Sequence, residues 1–215
     1  MKDDLHLGSE EVSFGPELEE AESAVVLIHG RGDSAQGILA LAPELQAPRT
    51  AFRAPEAVGF SWYPYSFLSE VELNEPWLSS ALDRVEAAVT AVSTVIPKER
   101  VVLMGFSQGA CLALEFAARN TRRYGGVVAF SGGLIGPDGT PRDYPGSLEG
   151  TPVFLGCSDV DAHIPVSRVH ESAHVLEGLG GMVDERIYPR MGHTINGEEI
   201  AWAGKLLTSL SAEGP

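Results

Sequence analysis

The sequence predicts an α/β fold with a mostly parallel central sheet and helices on both faces. Short β-branched apolar runs alternate with segments of helical period along the 215-residue chain. Such alternation builds strand–helix–strand units whose sheet is buried on both sides. No break in composition marks a linker, so residues 1–215 are expected to form one domain.

Near the start, "EVSFG" is a candidate edge strand. Residues 24–30, "AVVLIHG", form a buried strand that ends in a glycine turn. Residues 38–45 predict a short helix, and residues 50–55 a strand stopped by Pro55. Residues 76–96 predict a long amphipathic helix with Pro76 at its first position, where a missing N–H does no harm. Its apolar set, Leu78, Leu82, Val85, Val89, Val92 and Ile96, follows the helical period. A strand at 101–104 and a helix at 108–119 come next, then strands at 126–133 and 151–159 and a helix at 165–179. Residues 184–193 hold a strand and a loop, and a last helix covers about 197–210. Two connections are long: 54–75, rich in aromatics, and 132–150, rich in Gly and Pro. Loops of that length are functional or, for the second, disordered.

A formal net charge of −15 repels phosphate backbones and anionic lipid, which excludes nucleic-acid and stable membrane partners from the expectation. The opening residues carry no apolar signal core, and no run approaches a membrane span. Cys111 and Cys157 sit in apolar surroundings without metal-like spacing and are expected to be buried free thiols. Together these features predict a cytoplasmic protein. Whether it forms a homo-oligomer is open.

On a parallel sheet, ligands bind beyond the carboxyl ends of the strands. One such end reads "VVLMGFSQGACLALEFA". A serine between strand and helix, with a glycine two residues away on either side, is the G-x-S-x-G nucleophile elbow in its strand–turn–helix setting. The sharp turn exposes Ser107 at a helix N-terminus, which favours negative charge. A capping serine in a Gly-rich turn is the plainer alternative. A serine hydroxyl needs a base, and in this motif class the partners follow in the order serine, acid, histidine. Of the later histidines, His193 in "RMGHTIN" lies in a loop after a late strand. "LGCSDVDAHIP" offers Asp159 and Asp161 as the acid; Asp161 is preferred because it stands just before the next helix, and either could instead be a turn residue. The oxyanion donors are expected to be the backbone N–H groups of Gln108, after the nucleophile, and of Arg31, in "LIHGRGD". The Arg31 side chain could take a substrate carboxylate, pair with Asp33 or stand in solvent.

With "LIHGRGD", "GFSQGA", "DAHIP" and "MGH", the chain resembles the phospholipase/carboxylesterase family of α/β-hydrolases, which includes acyl-protein thioesterases. The resemblance spans most of the chain. It implies an α/β-hydrolase fold without a large cap domain and a serine esterase without metal or cofactor. It also implies the roles of nucleophile for Ser107, acid for Asp161, base for His193 and oxyanion donors for Arg31 and Gln108. Thioesterase members usually carry a leucine where this chain has Arg31, a polar change that weighs against a long acyl substrate. Residues 60–68, "FSWYPYSFL", fall where the family builds one wall of the acyl pocket, so Trp62, Tyr63 and Phe67 are candidate substrate contacts. The same Trp62 and Phe67 read equally as cover for an edge of the core.

One motif competes. "HESAH" places His170 and His174 at i and i+4 on a helix with Glu171 between them, the spacing of a zinc hydrolase. Both histidines flank the helix's apolar stripe, no third ligand is apparent nearby, and a zinc site would leave the serine elbow unexplained. A non-catalytic ligand-binding protein on the same fold is the other alternative. The favoured expectation is hydrolysis of a carboxylic ester in a small-molecule substrate of open acyl length, with thioesters and lysophospholipids still open, through an acyl-enzyme.

Overall fold

A computed structural model describes residues 5–212. Seven strands form one sheet: β1 (Glu11–Phe14), β2 (Ser23–Ile28), β3 (Thr50–Pro55), β4 (Val101–Phe106), β5 (Gly126–Phe130), β6 (Pro152–Ser158) and β7 (Met182–Tyr188). Their order is β1-β3-β2-β4-β5-β6-β7. Only β1 runs antiparallel, pairing Glu11 with Pro55 and Phe14 with Phe52. The expected edge strand is therefore real, and its antiparallel sense follows from a position no crossover helix has to reach.

The helices are α1 (Ala35–Ile38), α2 (Trp77–Ser93), α3 (Gln108–Arg119), α4 (Val166–Gly178) and α5 (Gly197–Ala212). They divide between the faces as the strand pattern dictates. In β2, Ala24, Val26 and Ile28 point into the core beneath α2, α3 and α4, while Val25 and Leu27 point into a second core with α1 and α5. Burial on both faces explains why β2 and β4 read as unbroken apolar runs rather than alternating ones.

Three expectations shift at their edges. The helix expected at 38–45 is α1 followed by two 3-10 turns, Leu39–Leu41 and Pro43–Leu45. Ser34 starts it early by accepting the Gly37 N–H at 3.0 Å, and Pro43, having no N–H, stops an α-helical ladder from forming through it. Pro76 is the residue before α2 rather than its first. The strand expected at 126–133 ends at Phe130, because Ser131 turns to φ 53°.

The Gly-Pro-rich connection at 132–150 lacks helix or strand yet is ordered by charge. Arg168, whose side chain is 1% exposed, donates to Leu134 O at 2.9 Å, Gly136 O at 2.5 Å and Asp138 at 2.8 Å. Glu115 accepts the Ile135 N–H at 3.0 Å and the Tyr144 hydroxyl at 3.1 Å. Glu171, the central acid of the HExxH segment, accepts from Arg142 and Arg168 at 2.9 Å each. His170 pairs with Glu185 at 2.5 Å, and both His170 and His174 are exposed. The HExxH segment thus pins a loop. Among the described residues no cluster of three His, Cys, Asp or Glu side chains is arranged to hold a metal.

Two close contacts set how near α3 approaches the ends of β2 and β4. A Cβ placed on Gly109 would lie 2.1 Å from Ile28 O, and one on Gly105 would lie 2.4 Å from the Gly109 carbonyl. Both neighbours are backbone and cannot swing away. Gly109→Ala is expected to lose at least about 1–3 kcal/mol of stability, whereas Gly178→Ala, in open space at the end of α4, is expected to gain up to about 1 kcal/mol. Urea denaturation midpoints measure both, and an unchanged midpoint for Gly109→Ala would show that the close approach is not obligatory.

Candidate active site

The strand ends of β2, β4, β6 and β7 open onto one cavity of about 620 Å³, lined in part by Gly30, Arg31, Tyr63, Phe67, Ser107, Gln108, Cys111, Ile164 and His193. Ser107 sits between β4 and α3 at φ 55° and ψ −118°, a conformation that costs a non-glycine residue on the order of 1–3 kcal/mol. It is held there by its own N–H, which donates to Phe130 O at 2.9 Å. The turn leaves the hydroxyl facing the cavity, and no side-chain capping bond ties it back to the helix.

His193 comes from the loop after β7. Its Nε2 lies 2.9 Å from Ser107 Oγ and its Nδ1 2.7 Å from Asp161 Oδ2. An ionised carboxylate only accepts, so the imidazole carries its proton on Nδ1 and offers the Nε2 lone pair to the serine. The Asp161 side chain is fully buried. Burial alone would push its carboxyl up, but the His193 bond and the N–H groups of His163 (2.8 Å) and Ile164 (3.0 Å) outweigh it. The net effect lowers the acid below its ordinary value and keeps it ionised. Asp159, the other candidate acid, instead accepts the Arg190 N–H at 2.6 Å. The His193 ring packs against Phe106 at 4.9 Å and against His163 at 4.7 Å.

Opposite His193, the turn after β2 brings Gly30 and Arg31 beside Ser107. A Cβ on Gly30 would meet Ser107 Cβ at 3.5 Å. The Gln108 N–H is the first of α3, one of the helix's N-terminal donors without an intrahelical acceptor. The Arg31 side chain neither pairs with Asp33 nor stands free. It donates to Ser61 Oγ (3.1 Å), Pro64 O (2.9 Å) and Tyr65 O (2.7 Å). The Gln108 amide holds the same loop from below, accepting the Trp62 N–H at 3.0 Å and donating to Tyr63 O at 2.9 Å. His29 completes the brace. Its Nε2 accepts the Ala57 N–H at 3.0 Å, so its Nδ1 proton goes to Gly30 O at 2.7 Å.

The aromatic wall divides. Tyr63 and Phe67 line the cavity, whereas Trp62 does not. Trp62 is fully buried and its indole N–H donates to His29 O at 2.9 Å, so it supports the turn from the core side. The sequence offered both readings of Trp62, and the core reading is the one the structure adopts.

These observations stand beside three comparisons. The family model described as phospholipase/carboxylesterase matches residues 15–211. The chain belongs to that family. Within the family, it is 26% identical to the acyl-protein thioesterase 1 of Yarrowia lipolytica over 199 residues, covering 83% of this chain and 88% of that protein. With the acyl-protein thioesterase 1 of Gibberella zeae, identity is 35% over 113 residues, which is 50% of this chain and 46% of that protein. A crystal structure of a phospholipase/carboxylesterase from Dyadobacter fermentans superposes with a TM-score of 0.89 at 42% identity, covering 94% of this chain and 97% of that one. The fold is α/β-hydrolase-like, and the family supports a hydrolase acting on esters. Among the described residues no helix is long and apolar enough to cross a membrane.

Several contributors left little trace in the sequence. The side-chain roles of Gln108 and Arg31 had no local signal. Glu199 did, because "NGEE" sets Asn196 three residues before it, a capping-box spacing. Asn196 Oδ1 accepts the Glu199 N–H at 3.1 Å, and Glu199 Oε2 accepts the Asn196 N–H at 2.8 Å. Glu199 is fully buried, and its Oε1 has no hydrogen-bond partner. Burial pushes its carboxyl up to about 7, with the Asn196 N–H opposing and the neighbouring Glu198 charge adding to the rise. From β7, the Tyr188 phenol also feels the Glu199 charge.

A raised folded-state value means the fold prefers the protonated acid. That stabilisation is full below the ordinary glutamate range and is lost as pH rises through about 7. A shift of this size corresponds to on the order of 3 kcal/mol. Glu199→Gln keeps an acceptor for Asn196 and cannot ionise. The stability difference between wild type and Glu199→Gln, measured by urea denaturation, is expected to shift in favour of the variant between pH 5 and pH 8. A pH-independent difference would contradict it.

Proposed function

We propose that this protein is a serine esterase that hydrolyses small carboxylic esters through an acyl-enzyme. The observation that carries this reading is the unbroken relay from Ser107 Oγ to His193 Nε2 at 2.9 Å and from His193 Nδ1 to buried Asp161 at 2.7 Å. A pure binding protein has no use for it, and membership of an esterase and thioesterase family supports it.

In the reaction, Ser107 Oγ attacks the ester carbonyl carbon while its proton passes to His193 Nε2. The carbonyl electron pair moves to oxygen, which is held by the backbone N–H groups of Arg31 and Gln108 at the positive end of α3. Collapse of this intermediate breaks the bond to the alkoxy oxygen, which leaves as alcohol with the proton from His193. Water then repeats the cycle on the acyl-serine, again giving its proton to His193. Asp161 holds the imidazole in its Nδ1–H form and stabilises the imidazolium. No metal or cofactor takes part in this scheme.

The acyl group is proposed to be short. Arg31 ties residues 61–65 down beside the cavity, and Tyr63 and Phe67 wall it. Arg31 keeps this wall polar, which disfavours a long apolar acyl chain; the reading takes an oxygen ester ahead of the thioesters named for the relatives. The free buried thiols of Cys111 and Cys157 fit a reducing compartment, and the reading puts the enzyme in the cytoplasm.

Ser107→Ala is expected to abolish turnover of p-nitrophenyl acetate, and labelling by a fluorophosphonate, in a protein that still folds. Asp161→Asn is expected to lower kcat by about 10³- to 10⁴-fold, the usual effect of losing the tautomer-fixing acid. Full turnover by Ser107→Ala ends the assignment. Across p-nitrophenyl esters, kcat/KM is expected to peak between acetyl and butyryl; a maximum at octanoyl or beyond would refute the short pocket.

A further inference from the structure

The base is delivered by a stretch without helix or strand. Residues 189–196 join β7 to α5, with Arg190 and Gly192 both at positive φ, 54° and 79°. For Arg190 this is a left-handed conformation that a side chain disfavours. Such a loop would wander unless something outside it fixed its main chain.

Side-chain acceptors do so at three points. The Arg190 N–H donates to Asp159 Oδ1 at 2.6 Å. The Gly192 N–H, one residue before the base, donates to Ser158 Oγ at 3.0 Å. The Asn196 N–H donates to Glu199 Oε2 at 2.8 Å. Asn196 then ties the loop to itself through its amide, which donates to Met191 Sδ at 2.9 Å. The three anchors bracket His193 and sit on the two elements that frame it, the end of β6 and the first turn of α5.

We propose that Asp159 and Glu199 are positioning residues for His193: they touch no reacting atom, and they fix the loop that holds the imidazole between Asp161 and Ser107. This rests on the reading of Ser107 and His193 as nucleophile and base. Neither carboxylate is where packing alone would put it. Asp159 is exposed, so its contact with Arg190 is not a by-product of burial. Glu199 is fully buried, uses one oxygen on Asn196, and presses the other against Gly156, where an added Cβ would lie 2.0 Å away. Carboxyl oxygens that accept backbone N–H groups at 2.6 and 2.8 Å hold fixed directions, which suits them to setting a loop's register.

The test compares each carboxylate's alanine variant with its amide variant, which keeps an acceptor. With p-nitrophenyl acetate, Asp159→Ala is expected to lose about tenfold in kcat with KM within about twofold, because a displaced base weakens the chemical step more than binding. The rate of fluorophosphonate labelling at Ser107 is expected to fall in parallel, and the thermal midpoint to stay close to wild type. Asp159→Asn is expected to recover most of the lost kcat. Glu199→Ala and Glu199→Gln should repeat the pattern; if Glu199→Ala fails to fold, the Gln variant must still turn over near the wild-type rate, and the Asp159 pair decides.

Wild-type kcat in Asp159→Ala, a loss in KM alone, or an Asn variant no better than Ala would overturn the proposal. Ser107→Ala separates the two failures. If it is inactive while Asp159→Ala is unimpaired, only the positioning role falls. If Ser107→Ala stays active, the serine reading falls with it.

Discussion

The approach of α3 to the end of β2 at Gly109 governs the site. Gly109 lies where any Cβ would overlap Ile28 O, so the helix N-terminus and the turn at residues 29–31 share one small space. That contact brings the start of α3 against the turn that carries Gly30 and Arg31, where a Cβ on Gly30 would meet Ser107 Cβ at 3.5 Å. Gly105 makes the turn possible by leaving room for the Gly109 backbone, and the bond from the Ser107 N–H to Phe130 O holds it. The strain of on the order of 1–3 kcal/mol is sustained by buried strands on either side, Val102–Phe106 on Gly126–Phe130 and Ala24–Ile28 on Val101–Gly105.

Around that point the site has two separately anchored halves. On one side, Arg31 and Gln108 line the cavity while their side chains bind carbonyls and N–H groups of residues 61–65. Trp62 and His29 carry the support into the core. Buried His6 extends it, accepting the Val58 N–H on Nδ1 and donating from Nε2 to Trp62 O at 3.0 Å, with burial lowering its basicity so that the ring stays neutral. On the other side, β6 and α5 hold the His193 loop. The halves meet across the bond between Ser107 and His193. The walls of the cavity are therefore fixed mostly by side chains that bond to backbone.

Local signals made the frame legible. Unbroken apolar runs marked the parallel strands, and glycines at 105 and 109 marked the elbow, because both patterns arise from contacts inside one strand–turn–helix unit. Chain order narrowed the acid to Asp159 or Asp161 but left the choice to an argument from position, since two residues of separation reverse which carboxylate meets the ring. Trp62 was ambiguous for a related reason: an aromatic run in a loop shows that rings must be covered, not which ring faces the cavity. The helix expected at 38–45 failed because Ser34 and Pro43 outweighed its apolar spacing. The uses of Gln108, Arg31 and Glu171 were out of reach because, Arg168 beside Glu171 aside, their partners lie at least 29 positions away in loops whose path no periodicity encodes.

The loop at 132–150 shows what such distant bonds accomplish. It has the length and composition of a mobile flap, yet buried Arg168 makes bonds to Leu134 O, Gly136 O, Asp138 and Glu171 that engage all three guanidinium nitrogens. Lifting the loop would take Leu134 O, Gly136 O and Asp138 from that cation together and leave it Glu171. Glu115 would lose the Ile135 N–H and the Tyr144 hydroxyl in the same motion. The Gly136 N–H also donates to Phe67 O at 2.7 Å, which joins this loop to the aromatic wall of the cavity. A flap would need weak, solvated contacts that water could replace one by one. This connection is held by several bonds to one buried arginine and to Glu115 that must break together, so it serves as a fixed support for the cavity wall.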